Sequence, residues 1–182
     1  MVDLRDNKVE RLPQNFGNLR KLLKLNLDQN CLRVIQATFG NLRTLSDLSL
    51  AKNQISLIEE DCLCWLNSLV LLDLHENKLT AFGAVPSSAK LDTLVLSFNQ
   101  LRGVEGLQHA PNLTVIDLHN NKLAVLPETI LQLYKLKTLQ ISNNDMNGLD
   151  PRLSLLPELT RISIEGNPLR SIKPAMRSAN AV

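Results

Sequence analysis

Two short stretches of the sequence combine residue types that could perform chemistry. DLHENKL (residues 73–79) and DLHNNKL (residues 117–123) each place an aspartate two residues before a histidine. The two pairs are Asp73 with His75 and Asp117 with His119. A carboxylate beside an imidazole is the pairing that metal sites and general acid–base sites use. The near-identity of the two stretches also fits one structural unit that is present in several copies. The surrounding sequence pattern distinguishes a chemical site from such a repeated unit.

An asparagine recurs every 22 to 24 residues along the chain, each time after apolar residues that alternate with other types. The eight asparagines are Asn7, Asn30, Asn53, Asn77, Asn99, Asn121, Asn144 and Asn167. The sequence around them follows one template, LxxLxLxxNxL, as in LLKLNLDQNCL (22–32) and LTVIDLHNNKL (113–123). A period of this length indicates a repeat protein in which each unit buries its apolar face against its neighbours.

The template itself predicts a short strand in every repeat. The L-x-L alternation has period two, which directs both leucines to one face of the strand. The ~17–20 residues that connect consecutive strands are long enough for the crossovers of a parallel sheet. Apolar residues make up 44% of the chain but aromatic residues only 3%, so leucine dominates a thin, repeated core.

The LxxLxLxxNxL template resembles that of the leucine-rich repeat family over residues 2 to about 172. The resemblance implies an α/β fold: a right-handed solenoid, or horseshoe, with a parallel β-sheet on its concave face. Short helical or 3-10 turns are then expected on the convex face. We predict a single domain of about eight repeats over residues 1–182, without a full N-terminal cap and with residues 173–182 as a short C-terminal tail.

The segments between the predicted strands resemble two classes of intracellular leucine-rich repeat. LPQNFGNLRKL (12–22) and LPETILQLYKL (126–136) are similar to the Ras-suppressor-like class, and Pro13 and Pro127 suit the first position of a helical turn. NQLRGVEGLQHAPNL (99–113) resembles the phosphatase-regulator type. Neither end of the sequence shows a full capping segment, so we expect either that the chain is part of a longer protein or that a partner or a second copy covers its ends, and we favour the first. The stretch GNPLRSI after the last strand is similar to one in leucine-rich-repeat-containing protein 40 and its relatives.

The residues of the repeat template also assign roles to the asparagines and histidines. A side-chain amide both donates and accepts hydrogen bonds, so each asparagine can bond the backbone of its own turn and of the adjacent one. In the family these residues form a buried structural ladder. Asp73, His75, Asp117 and His119 fall at template positions that face solvent, and two histidines separated by an intervening strand should lie ~10 Å apart at the backbone. We therefore predict no catalytic residue, no metal site and no cofactor.

The exposed face of the predicted sheet is the expected binding surface. Most of its positions are polar, but apolar residues meet on three adjacent strands, with acidic residues and histidines around them, which is the anatomy of a protein interface. We call this set the central patch; it contains Leu71, Asp73, His75, Glu76, Val95, Ser97, Phe98, Val115, Asp117 and His119. Phe98 is its expected anchor, since aromatic residues are enriched at interface hot spots.

Charge and cysteine content narrow the class of protein. A net charge of +2 without a dense basic run gives no reason to expect nucleic acid or an anionic membrane as a partner. Three cysteines do not make a disulfide framework, and Cys62 and Cys64 are expected on turns as reduced thiols. We predict an intracellular, non-catalytic scaffold that binds an unidentified protein. The alternatives are a repeat module of a longer signalling enzyme or regulator, and an extracellular module glycosylated at Asn112.

Overall fold

The computed structural model describes residues 1–60, 62–83 and 85–171 of the chain. The predicted tail, residues 173–182, lies outside the described residues. Ten short strands are present: β1 (Val2–Asp3), β2 (Lys24–Asn26), β3 (Val34–Ile35), β4 (Asp47–Ser49), β5 (Leu57–Ile58), β6 (Leu71–Asp73), β7 (Thr93–Val95), β8 (Val115–Asp117), β9 (Thr138–Gln140) and β10 (Arg161–Ser163).

Eight of these strands form one parallel sheet, in the order β1-β2-β4-β6-β7-β8-β9-β10. Equivalent template positions are in register from strand to strand, so that Leu72 pairs with Leu94 and Leu94 with Ile116. In β6, β7 and β8 the middle residue is buried and its two neighbours are partly exposed. The sheet and the solenoid predicted from the template are confirmed.

The core is a row of aliphatic side chains that runs the length of the solenoid. Strands β2, β4, β6, β7, β8 and β9 each supply a buried central residue and a second buried leucine or isoleucine two positions later, such as Leu72 and Leu74. The connecting segments add further buried side chains from the opposite side. Since each repeat contributes a thin layer, its apolar surface is removed from water mainly by the repeats on either side.

The convex side of the described chain holds five 3-10 helices: Gln14–Asn18, Ala37–Asn41, Leu107–His109, Glu128–Gln132 and Pro151–Leu155. Strands β3 and β5 form a second, two-stranded parallel sheet beside them. Pro13 and Pro127 each lie one residue before their helix and have extended backbone angles. The prediction that they occupy the first position of the helix was therefore wrong. Pro151 does occupy the first turn, where Asp150 caps the helix by accepting the Arg152 N–H.

Cys62 lies on a turn, as predicted, but its side chain is buried in the core, which was not expected from the sequence. It lies nine residues after Asn53, as Phe39 lies nine residues after Asn30, and both side chains point into the convex side of the core. Burial raises the pKa of the Cys62 thiol to about 12. A thiol with so high a pKa is almost wholly protonated at neutral pH and is a poor nucleophile.

The asparagine amides link each repeat to the one before it. Asn99 Oδ1 accepts the Leu79 N–H at 3.0 Å, and its Nδ2 donates to the Leu74 carbonyl at 2.9 Å, both in the preceding repeat. Nδ2 also donates to the Leu96 carbonyl of its own turn at 3.0 Å. The same set of bonds occurs at Asn30, Asn53, Asn77, Asn121, Asn144 and Asn167.

The residue immediately before each asparagine has a left-handed backbone conformation, which turns the chain out of the strand. These eight residues are Asp6, Gln29, Lys52, Glu76, Phe98, Asn120, Asn143 and Gly166, with φ between 53° and 73°. The N–H groups of the first seven donate to a carbonyl of the following repeat; that of Phe98, for example, donates to the His119 carbonyl at 3.0 Å. The left-handed position is therefore part of the hydrogen-bond pattern of the repeat.

Replacing Asn99 with alanine is expected to lower the free energy of unfolding by about 1–3 kcal/mol, because buried N–H and carbonyl groups lose their partners. Urea unfolding followed by circular dichroism measures the change. Asn7→Ala is the matched control, since Asn7 is exposed and, within the described residues, its side-chain amide bonds only the carbonyls of Leu4 and Arg5 in its own turn. Equal losses in the two variants would contradict a role for the inter-repeat bonds.

Candidate functional site

The central patch lies on the exposed face of β6, β7 and β8. Each strand is three residues long, and the first and third residues face outward while the middle leucine or isoleucine is buried. Leu71, Val95 and Val115 are partly exposed on this face. Because they alternate with a buried residue, the strand period that builds the core also displays them.

The register of the three strands divides the patch into two rows. Asp73, Val95 and Asp117 pair in one row, so that Val95 lies between two carboxylates. Leu71 and Val115 pair with Thr93 in the other row, which separates them from each other. The apolar surface is therefore interrupted by polar side chains and is less continuous than the sequence indicated.

The two Asp–His pairs make the same bond within the turn that follows the strand. Asp73 Oδ1 accepts the His75 backbone N–H at 2.8 Å, and Asp117 Oδ1 accepts that of His119 at 3.1 Å. The equivalent bond, from the backbone N–H two residues further on, occurs at Asn26 and at Asp3. A shared turn thus accounts for the aspartate in both stretches.

The two histidine rings have different partners. His119 Nδ1 lies 2.5 Å from Asp117 Oδ1, whereas His75 Nδ1 lies 2.9 Å from Ser97 Oγ. Ser97 itself is fully buried beneath the patch. The prediction that Ser97 contacts a partner was therefore wrong: its hydroxyl positions the His75 ring, because the turn after β7 directs it inward.

Phe98 is the most prominent side chain of the patch. It is 46% exposed, and its ring packs edge-to-face against His75 and His119, with centroids 5.1 and 4.9 Å apart. It also occupies the left-handed position, with a φ of 53°. The other repeats have acidic, amide, lysine or glycine residues there, so an exposed aromatic ring is particular to this one.

The geometry of the histidines does not bring ligands together around a metal ion. The Phe98 ring contacts both imidazoles, and it occupies the space in which two nitrogens would have to approach within ~2.1 Å of one ion. The part of the chain that the structure describes contains no group of three or more His, Cys, Asp or Glu residues that could hold a metal.

The carboxylates of the exposed sheet face differ in their partners. Asp47 forms an ion pair with Lys24 at 3.2 Å, and Asp28 accepts the Ser49 hydroxyl at 2.6 Å. Asp73 is partly buried, and this burial is the main cause that raises its pKa, with the negative charges of Asp28 and Asp117 adding to it. The patch therefore contains a carboxylate whose ionisation is opposed by its surroundings.

A second exposed aromatic residue was missed by reasoning from the sequence. Trp65 is 54% exposed on the convex side, and the Arg43 guanidinium lies 5.6 Å from its ring centroid. A tryptophan in a leucine-rich chain with only 3% aromatic residues was a signal available in the sequence. The contact is of a kind that contributes about 0.5–1 kcal/mol at an exposed site.

Comparison with known families agrees with the geometry of the sheet. The family description "Leucine rich repeat" matches residues 36–79 and 111–169, together more than half of the chain. The chain belongs to the leucine-rich repeat family. A second description, "Leucine Rich repeats (2 copies)", matches residues 89–130.

Relatives in this family include proteins with very different architectures. The chain is 28% identical over 179 residues to mouse leucine-rich repeat serine/threonine-protein kinase 1, which covers 95% of the chain and 8% of that protein. It is 29% identical over 111 residues to rat leucine-rich repeat-containing protein 51, covering 60% of the chain and 46% of the relative. The chain thus spans less than half the length of the curated relatives that it matches. The similarity to leucine-rich-repeat-containing protein 40 stays a prediction.

Solved structures of leucine-rich repeat proteins superpose on most of the chain. The plant peptide hormone receptor RGFR1 in complex with RGF2 gives a TM-score of 0.78 at 27% identity, covering 91% of the chain and 28% of the receptor. YopM from Yersinia enterocolitica gives 0.72 at 28% identity, covering 91% of the chain and 33% of YopM. A TLR13 complex with ssRNA13 gives 0.71 at 29% identity, covering 88% of the chain and 24% of TLR13.

The comparisons and the structure leave untested the predictions that the chain binds neither nucleic acid nor a membrane. One of these neighbours is bound to RNA, so the expectation that this chain binds no nucleic acid stays a prediction. Within residues 1–60, 62–83 and 85–171, no helix has the length and apolar composition needed to span a bilayer.

Phe98→Asn is expected to leave the free energy of unfolding unchanged or to raise it by up to about 1 kcal/mol. Asparagine tolerates the left-handed conformation, which costs most L-residues roughly 1–2 kcal/mol, and this gain offsets the lost ring contacts. Urea unfolding measures the difference. The converse variant Asn120→Phe, at the same template position one repeat later, should be less stable than wild type. A marked loss of stability in Phe98→Asn would make Phe98 a structural residue.

Asp73→Asn is expected to be at least as stable as wild type at pH 7. An asparagine can accept the same turn hydrogen bond, as Asn26 does from the Asp28 N–H, and it removes a charge whose burial is unfavourable. The folded-state pKa of Asp73 lies above the ordinary value of 3.8. Protonation of Asp73 therefore adds to the free energy of unfolding in full below pH 3.8, and this contribution is lost as the pH rises through the folded-state pKa. Urea unfolding between pH 3 and 7 should show that the free energy of unfolding of the variant increases relative to that of wild type as the pH rises. The opposite trend would contradict a raised pKa for Asp73.

Proposed function

We propose that the chain is a non-catalytic protein-interaction module that binds a protein partner on the exposed concave face of its sheet, with Phe98 as the anchor. The observation that carries the proposal is the exposed ring at a left-handed backbone position. This conformation costs roughly 1–2 kcal/mol for a bulky L-residue, and an exposed ring offsets little of that by burial. A locally unfavourable residue on an open face is a reason to infer a role in binding.

The surroundings of Phe98 support an interface and not merely an isolated exposed ring. Val95 is partly exposed nearby on the same strand, and the rings of His75 and His119 hold Phe98 from both sides. A ring fixed before binding loses little conformational freedom when a partner covers it. Polar and acidic side chains surround this small apolar centre, which is the usual composition of an interface.

A second candidate is that these repeats form the interaction segment of a longer enzyme or regulator. The observation that favours it is the small share of the relatives that the chain covers, 8% in the case of the mouse kinase. In that case the concave face would recruit a substrate or regulator to another domain. Sequencing the transcript beyond codon 182 tests this: a stop codon there argues against it, and a continuing reading frame for it.

We also propose an intracellular setting. Within the described residues, Cys31 and Cys62 form no disulfide, which suits a reducing compartment. The Asn112 side chain of the N-L-T triplet donates to the Ala89 carbonyl at 2.6 Å, so it already has a structural role between repeats. Fluorescent tagging of the protein in living cells locates it, and secretion into the medium would contradict the proposal.

Phe98→Ala combined with Val95→Asp is expected to abolish capture of the partner from a cell lysate. The change removes the anchor and places a third carboxylate between Asp73 and Asp117. Quantitative mass spectrometry of the captured proteins, compared with wild type, is the measurement. Val125→Asp is the matched control, because it makes the same change at a valine that is 72% exposed away from the sheet face.

Equal folding of the variants is checked first by circular dichroism. The single variant Phe98→Asn, which is expected to fold at least as well as wild type, repeats the test without the added charge. Proteins captured equally by wild type and by both patch variants would place the binding surface elsewhere and contradict the proposal.

A further inference from the structure

The row Asp73–Val95–Asp117 presents an apolar side chain between two carboxylates on neighbouring strands. The register places Asp73 directly beside Val95 and Val95 directly beside Asp117. Adjacent strands are ~4.8 Å apart, so each carboxylate lies within one strand spacing of the valine. Phe98 adds its exposed ring at the end of the same strand. The surface therefore combines an apolar floor with negative charge on both sides.

The patch itself carries negative charge and no lysine or arginine. Twelve side chains lie at the outward and turn positions of β6, β7 and β8 and of the turns after them; they include three carboxylates, Asp73, Glu76 and Asp117, and neither lysine nor arginine. Outside the patch, Lys52 lies in the turn after β4, beside the turn of Glu76, and Lys24, two strands from β6, is engaged by Asp47. The three carboxylates of the patch outnumber this one adjacent lysine. The patch is therefore complementary to a positively charged partner.

Asp73 is the carboxylate of this row with spare bonding capacity. Its Oδ1 accepts the His75 N–H, and no other hydrogen bond to it occurs in the part of the chain that the structure describes. Asp117, by contrast, is also engaged by the His119 ring. A carboxylate accepts several hydrogen bonds when fully partnered, so Asp73 has room for a donor from outside.

We propose, on the basis of the binding function above, that the partner presents an arginine on an extended segment, with its stem on Val95 and Phe98 and its guanidinium on Asp73. Arginine combines an apolar stem with a charged end. Its planar fork donates two parallel hydrogen bonds to one carboxylate. Asp117 and Glu76 add attraction at longer range. Phosphate-bearing partners, such as nucleic acid, are disfavoured at this patch because they would meet charge of the same sign.

The test uses peptides of defined sequence. A displayed library of random nine-residue peptides is selected on the folded chain, and the strongest binders are synthesised with a fluorescent label. Each is also made with citrulline in place of arginine, which keeps the shape and removes the charge. Affinities are measured by fluorescence anisotropy for wild type, Asp73→Asn and the control Asp47→Asn, in which the altered carboxylate has its own lysine partner.

The selected peptides are expected to share an arginine at a fixed position. Asp73→Asn and citrulline should each weaken binding about tenfold or more, as expected for a lost hydrogen bond to a charged group. The two changes together should weaken it little further, because they remove the same contact. Asp47→Asn should change the affinity less than twofold.

Four results would overturn the inference. Replacing arginine with citrulline could weaken binding equally to wild type and to Asp73→Asn. The arginine would then act by long-range charge attraction and not through a contact with Asp73. The selection could yield no binding peptide at millimolar concentration. Selected peptides could lack basic residues yet lose binding to Phe98→Asn; the arginine inference would then fail while the proposed binding face stood. Peptides that bind Phe98→Asn as tightly as wild type would contradict both.

Discussion

The hydrogen bonds of the asparagine amides are the interaction on which the rest of the structure depends. A parallel solenoid turns sharply after each strand, and every such turn leaves backbone N–H and carbonyl groups inside the molecule with no strand to pair with. One amide per repeat satisfies groups in two consecutive turns, as Asn99 does for Leu79, Leu74 and Leu96. Unpaired, each of these buried groups would cost about 1–3 kcal/mol. The periodic asparagine is thus a requirement of the backbone and leaves the outward side chains free to vary.

Because the outward side chains are free to vary, one set of residues stabilises the fold and a different set forms the exposed face of the sheet. The buried residue of each central strand is a leucine or isoleucine, whereas its neighbours on the exposed face include aspartate, threonine, valine and leucine. The exposed positions carry little of the core energy, so they can hold residues that are locally unfavourable. Phe98 in a left-handed turn and the partly buried carboxylate of Asp73 are two such residues on adjacent strands.

The fold was predictable from the sequence because its determinants are periodic. Spacing alone located the strands, the buried leucines and the asparagines. For side chains in the turns, burial depends on the local backbone conformation, and the sequence predicted it less well. Ser97 looked exposed by its template position, but the turn directs it inward beneath His75. Cys62 lies in a repeat of 24 residues, and its buried position follows only from counting forward from Asn53. The left-handed position of Phe98 gives no signal in the residue types of a single chain.

The strand order of the main sheet has a mechanical consequence. Each inner strand pairs with the strand of the preceding repeat and the strand of the following one. A force that pulls the two ends apart along the sheet therefore meets its resistance at the terminal repeats, one at a time, and not across the whole core at once. Each detachment frees 22 to 24 residues, which extend to roughly 75–85 Å of chain. Under tension such an array lengthens in nearly equal steps.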